Sequence, residues 1–244
     1  MMTVAAAALC AAVGFADGLT SENVVGYTNR STSQESASLG AMFVTPGATN
    51  WKLGDIKLVG ADPDADVIQF LEWDNAGTYL TAQYLDETFG ADSGWYDVET
   101  SEKISDLEFD AGTAFLCAFT SGNEVEIACA GEVSAAPITI TVSQESPFLA
   151  NPCPRTITLA EVKLVGADPD ADVIQFLEWD NAGTYQTAQY LDETFGADSG
   201  WYDVETSELI NTKTLEPGDA FLGAFTSGNE ITVKFPAAIV ANAD

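Results

Sequence analysis

KLVGADPDADVIQFLEWDNAGTYLTAQYLDETFGADSGWYDVETSE, residues 57–102, returns at residues 163–208 with one change, Leu80 against Gln186. A block of this length repeated this faithfully means that one domain-sized unit is built twice. At an offset of 106 residues, AMFVTPGATNWKLGDIKLVG from Ala41 aligns with PFLANPCPRTITLAEVKLVG from Pro147. At the same offset SEKISDLEFDAGTAFLCAFTSGNE from Ser101 aligns with SELINTKTLEPGDAFLGAFTSGNE from Ser207. The flanks differ between the copies where the centre does not. This period is too long for a solenoid built of about 20–50 residues per repeat, so each unit is expected to fold around its own core. Small residues and a proline in AGEVSAAP place the boundary near 131–136.

Within a unit the hydrophobic period is mostly two, broken at regular intervals by turn residues, which is the pattern of antiparallel strands. VIQFLEW (67–73) and TYLTAQYL (78–85) flank Asp74-Asn75-Ala76-Gly77 and read as a hairpin. WYDV (95–98) is a further strand, and 114–119 and 125–128 flank a Thr-Ser-Gly-Asn turn. LGDIKL (53–58) and LAEVKL (159–164) suggest one helical turn each. At the front, NVVGYTNRS (23–31) reads as a strand and the Ser-rich STSQESAS as the loop after it, with Asn29-Arg30-Ser31 matching a glycosylation acceptor. At about seven short strands per unit, the chain is expected to be all-β. The predicted architecture is two tandem antiparallel β-sandwich or small β-barrel domains formed by internal duplication, over residues 17–133 and 134–244.

Residues 1–16, within MMTVAAAALCAAVGFADG, form an uncharged apolar run ending at small residues, the pattern of a secretory signal cleaved after Ala16. That predicts a secreted protein, extracellular or at the cell surface, with no transmembrane segment. The formal charge is −30, from 38 acidic against 8 basic residues, so nucleic acid and anionic lipid are poor partners. Each copy of the block holds 11 carboxylates and one lysine, and the two copies carry most of that charge. The chain has no histidine, which removes the commonest general base, the Ser-His and Cys-His pairs and the usual zinc ligand.

Three sets of side chains could carry chemistry. Asp62, Asp64 and Asp66, repeated as Asp168, Asp170 and Asp172, alternate like the first ligands of a calcium loop, although Val67 stands where that loop wants glycine. Ca²⁺ is the one cofactor this pattern admits. Trp73, Trp95, Trp179 and Trp201 could serve as stacking platforms for a sugar, or as core. Cys117 and Cys129 sit on the arms of one expected hairpin at opposed positions and are both replaced in the second copy, by Gly223 and Phe235, which suggests a disulfide. Cys153 would remain as a buried hydrophobe. The Leu80 to Gln186 exchange implies a partly exposed face, on which Leu80 meets a neighbouring domain or subunit.

FLANP at Phe148, VIQFLEWDNAGTY at Val173, GWYDV at Gly200, LEPGDAFL at Leu215 and EITVKF at Glu230, taken in order, resemble a set of uncharacterised secreted bacterial β-repeat proteins. Proteins of that set carry an ENVVGY-like start, as Glu22 to Tyr27 does, and a closing GEV, as Gly131 to Val133 does; PAAIV departs from this in the second copy. The resemblance implies no activity, cofactor or catalytic residue. The leading functional expectation is a non-enzymatic structural, adhesive or self-assembling surface protein, in which self-association or glycan contact is the partnership. A carbohydrate-binding module, Ca²⁺-dependent or not, is the alternative, and a carboxylate-based hydrolase is third.

Overall fold

The computed structural model describes residues 25–32, 36–45, 48, 50–71, 79–134, 136–142, 147–177 and 185–237. The expected signal peptide (1–16), the hairpin tips, Trp73 and Trp179 lie outside these residues. Among the described residues the chain is all-β, and no helix is long and apolar enough to cross a membrane.

The first copy runs β1 (Val25–Thr32), β2 (Ser36–Gly40), β3 (Asn50–Lys52), β4 (Ile56–Val59), β5 (Asp66–Leu71), β6 (Tyr79–Leu85), β7 (Gly94–Asp97), β8 (Glu108–Asp110), β9 (Ala114–Phe119) and β10 (Val125–Glu132). The second repeats it as β11 (Pro137–Val142), β12 (Phe148–Ala150), β13 (Ile157–Thr158), β14 (Lys163–Val165), β15 (Asp172–Leu177), β16 (Tyr185–Leu191), β17 (Gly200–Asp203), β18 (Thr214–Leu215), β19 (Ala220–Phe225) and β20 (Ile231–Ala237). Each copy forms an antiparallel five-stranded sheet (β2-β9-β5-β6-β7 or β12-β19-β15-β16-β17) and a three-stranded sheet (β1-β10-β4 or β11-β20-β14). Two-stranded ribbons, β3-β8 and β13-β18, complete the set. The four larger sheets are arranged like the blades of a four-bladed propeller rather than as two plainly separate sandwiches.

The alternation read from the sequence is what builds these sheets. Ile56 and Leu58 of β4 point inward while Lys57 and Val59 face out, and Val125, Ile127 and Cys129 fill the inner face of β10. The indole N–H of Trp95, on β7, donates to the Ile56 carbonyl on β4 at 2.8 Å, and that of Trp201 donates to the Val162 carbonyl at 2.8 Å. A buried indole needs such an acceptor, and meeting it ties the five-stranded sheet to the three-stranded one.

Several expectations change. There are ten strands per copy among the described residues rather than about seven, because 36–40 of the Ser-rich stretch forms β2 and two-residue and three-residue strands escape a periodicity test. The helical turns are present as 3-10 turns at Leu53–Asp55 and Leu159–Glu161, closed by Asp55 and Glu161, which accept the backbone N–H of Lys52 and Thr158 at 3.0 and 2.9 Å. The flanking alignment also shifts. Leu39 pairs with Phe115 as Leu149 pairs with Phe221, an offset of 110 that returns to 106 by Trp51 and Ile157. The first copy therefore carries four extra residues between Phe43 and Trp51. Finally, strand pairing stays within each copy, but the buried side chains of both copies make one contiguous core, not one core each.

The copies meet across a local two-fold axis. Leu39 bridges to Asp219 and, as its image, Leu149 bridges to Thr113. The Gly40 N–H donates to the Gly218 carbonyl at 3.0 Å, and the Ala150 N–H to the Gly112 carbonyl at 2.8 Å.

Candidate functional site

In each acidic loop two carboxylates face outward and the third is turned inward. Asp62 and Asp64 are exposed, but Asp66 is turned inward and is fully buried. Its carboxylate accepts from the Asp62 N–H (2.8 Å), the Ser121 N–H (3.0 Å) and the Ser121 hydroxyl (2.6 Å), so it closes its own loop and pins the turn between β9 and β10. Burial opposes the charge of Asp66, and the hydrogen bonds from Ser121, Asp62 and Thr120 overcome it and hold the carboxyl below its ordinary pKa. The second copy repeats the knot, with Asp172 accepting from Asp168 N–H at 2.7 Å and Ser227 N–H at 3.0 Å, and Asp168 accepting from Asp170 N–H at 3.0 Å. Among the described residues no three carboxylates or thiols are grouped to hold a metal ion.

Trp95 and Trp201 are fully buried, so neither is a platform for a ligand. Tyr84 and Tyr190 pack on them at centroid distances of 5.2 and 5.1 Å. The expected hairpin disulfide is also corrected. β9 and β10 belong to different sheets and do not pair, because the chain crosses between sheets at 120–124. Cys117 lies opposite Ile68 and Ala37, Cys129 opposite Ile56 and Thr28, and both are buried free thiols, as is Cys153. Their replacement in the second copy has a packing cause. A Cβ at Gly223 would meet the Phe225 ring at 2.8 Å and Pro147 at 2.9 Å. The core exchanges Cys129 for Phe235 and, in the other direction, Phe43 for Cys153, a ring gained against a ring lost.

The Leu80 to Gln186 exchange falls at half-buried positions, as expected, on a face that also carries fully buried Ala82 and Ala188. Leu80 packs against the core margin. Gln186 instead donates its side-chain amide to Asp203 at 2.7 Å, the bond that chiefly holds Asp203 below the usual carboxylate range. The other carboxyls that shift do so downward as well: Asp86 and Asp192 through the hydroxyls of Thr88 and Thr194, Glu161 through the Arg155 guanidinium.

One feature was not anticipated from the sequence. A cleft of 370 Å³ opens between the copies, walled by Phe70, Phe109, Ile140 and Phe148 with Glu108 and Asp110 among its lining residues. A second hollow of 570 Å³ adjoins it on Asp110, Ile140 and Thr141. Both depend on residues far apart in sequence, from Val44 to Leu149, which periodicity cannot reveal. No known protein family matches the chain, and no curated protein matches it.

Proposed function

We propose that this is a non-enzymatic structural protein of the bacterial exterior, self-associating through apolar points that its two copies present in duplicate. The observation that carries the reading is that Val59, Phe89 and Val98 are exposed in the first copy and Val165, Phe195 and Val204 in the second, all within the near-identical block. Buried positions within the block repeat as well, such as Leu58 and Leu164 or Trp95 and Trp201, while buried positions outside it differ: Trp51 against Ile157, Cys129 against Phe235, Ile127 against Val233. Each copy is read as a sandwich of its five-stranded and three-stranded sheets, fused to the other by the local two-fold. Its acidity serves as a self-repelling surface that salt screens. β1 fits this picture: the GYT segment lies along its own sheet edge, on β10, with Tyr27 exposed. Sedimentation of the chain as salt is raised, with and without Phe89 and Phe195, tests the proposal.

A further inference from the structure

The local two-fold is broken at one place. Arg30 on β1 and Ile140 on β11 hold matching positions, opposite Ile127 and Val233 in the paired strands. On one side of the axis the Arg30 guanidinium donates to the Pro217 carbonyl at 3.2 Å and pairs with Asp219 at 2.8 Å. On the other side Ile140 stands against Gly112, and Thr113 takes the place of Asp219. Both members of the ion pair are replaced together by shorter, uncharged side chains. The space this leaves belongs to the 370 Å³ cleft.

The cleft has its own charge. Glu108 accepts from the Asn50 side chain at 2.7 Å and lies 3.9 Å from the Lys52 ammonium. Asp110 is exposed, and its carboxylate meets no donor among the described residues. With −30 on the whole chain, the field at this rim attracts cations and rejects anions. Aromatic and aliphatic walls beneath an acidic rim suit a cation carried on an apolar stem, and Arg30 is such a group held at the matching position. The volume lies at the lower end of the range for small-ligand sites, about 300–1,000 Å³.

We propose that this cleft binds a small organic cation, a guanidinium or alkylammonium group on an apolar stem. The head lies at Asp110 and Glu108 and the stem against Phe109 and Phe148. The same chemistry can arrive as a free amine or as an arginine side chain on a peptide, and the test separates the two.

Butylguanidinium, its neutral isostere butylurea, and acetyl-Gly-Arg-Gly-amide are titrated into the intact chain at fixed ionic strength and followed by NMR or calorimetry. The expected result is saturable one-site binding of butylguanidinium, at least about tenfold tighter than butylurea. Tighter binding of the peptide assigns the ligand to a side chain, and equal or weaker binding assigns it to a free amine. Ile140→Arg, which supplies the cation from within, abolishes binding. Asp110→Asn, at an exposed position that the fold does not need, weakens it roughly three- to tenfold and decides the matter if Ile140→Arg fails to fold. Absence of saturation, equal affinity for butylurea, or binding unchanged in Asp110→Asn overturns the proposal.

Discussion

Gly40 and Ala150 hold equivalent places in the two copies and face each other across the local two-fold, so closely that a Cβ on Gly40 would overlap the Ala150 methyl. One of the two must be glycine. The reason is space and not backbone angle, and it makes this pair the most sensitive point of the contact between the copies.

Gly40→Val should therefore destabilise the whole chain by about 1–3 kcal/mol through overpacking. Ala150→Gly, which only loosens the contact, should cost about 1 kcal/mol or less. Thermal melts of the two variants check this. Equal effects would mean that the contact is not close-packed.

The Asp66 and Asp172 knots should act as structural fasteners. Asp66→Ala leaves the N–H groups of Asp62 and Ser121 without their acceptor and should cost about 2–4 kcal/mol. Because the folded pKa of Asp66 lies below the unfolded value of 3.8, its contribution is present above that pH and is lost as the pH falls further. Acid melts of the wild type and Asp66→Asn should converge below that value. Since the carboxylate is engaged by its own loop, melts in Ca²⁺ and in EDTA should superimpose, whereas a tight native-state cation would raise the melting temperature.

The buried thiols predict alkaline sensitivity. Burial pushes Cys129 up to about 12 and Cys153 up to about 11 from an ordinary 9.0, and pushes Cys117 up as well. The unfolded thiols lose their protons first, so stability is complete below pH 9 and falls as pH rises toward 11–12. Denaturant titrations at pH 8 and 10.5 should show the loss, and Cys129→Ala should reduce its slope. A thiol reagent should label none of the three in the native protein at pH 8 and all of them once it is unfolded.

Leu80→Gln should be nearly neutral, within about 1 kcal/mol, because Asp97 stands where Asp203 receives Gln186 in the second copy. A double variant with Asp97→Ala should be clearly worse than the sum of the single changes. Simple additivity would show that the amide finds no partner there.

Local patterning made the strands of the block legible, since buried Ile68 and Phe70 flank Gln69 and buried Ala82 stands between Thr81 and Gln83. It gave β9 its bounds at Ala114–Phe119 without an error. It could not say that β9 and β10 part into different sheets, because a turn of Thr-Ser-Gly-Asn serves a hairpin and a crossover equally well. The disulfide expectation failed with that assumption. The indoles of Trp95 and Trp201 were ambiguous for a related reason: a residue that suits a sugar also suits a core, and only the acceptor carbonyls of Ile56 and Val162 decide. The cleft was illegible because it is made by Ile140 replacing Arg30 at a matching position, and that match appears only once the offset of 110 is known from strand pairing.

Self-association through the duplicated exposed apolar points is read out by sedimentation of the chain at about 0.05, 0.15 and 1 M salt, over which the screening length falls to about 3 Å. Monomers are expected at low salt, where the acidic copies repel, larger species as salt rises, and monomers throughout for Phe89→Ser/Phe195→Ser. A chain that stays monomeric at every salt concentration, or associates equally well without the two phenylalanines, would contradict it.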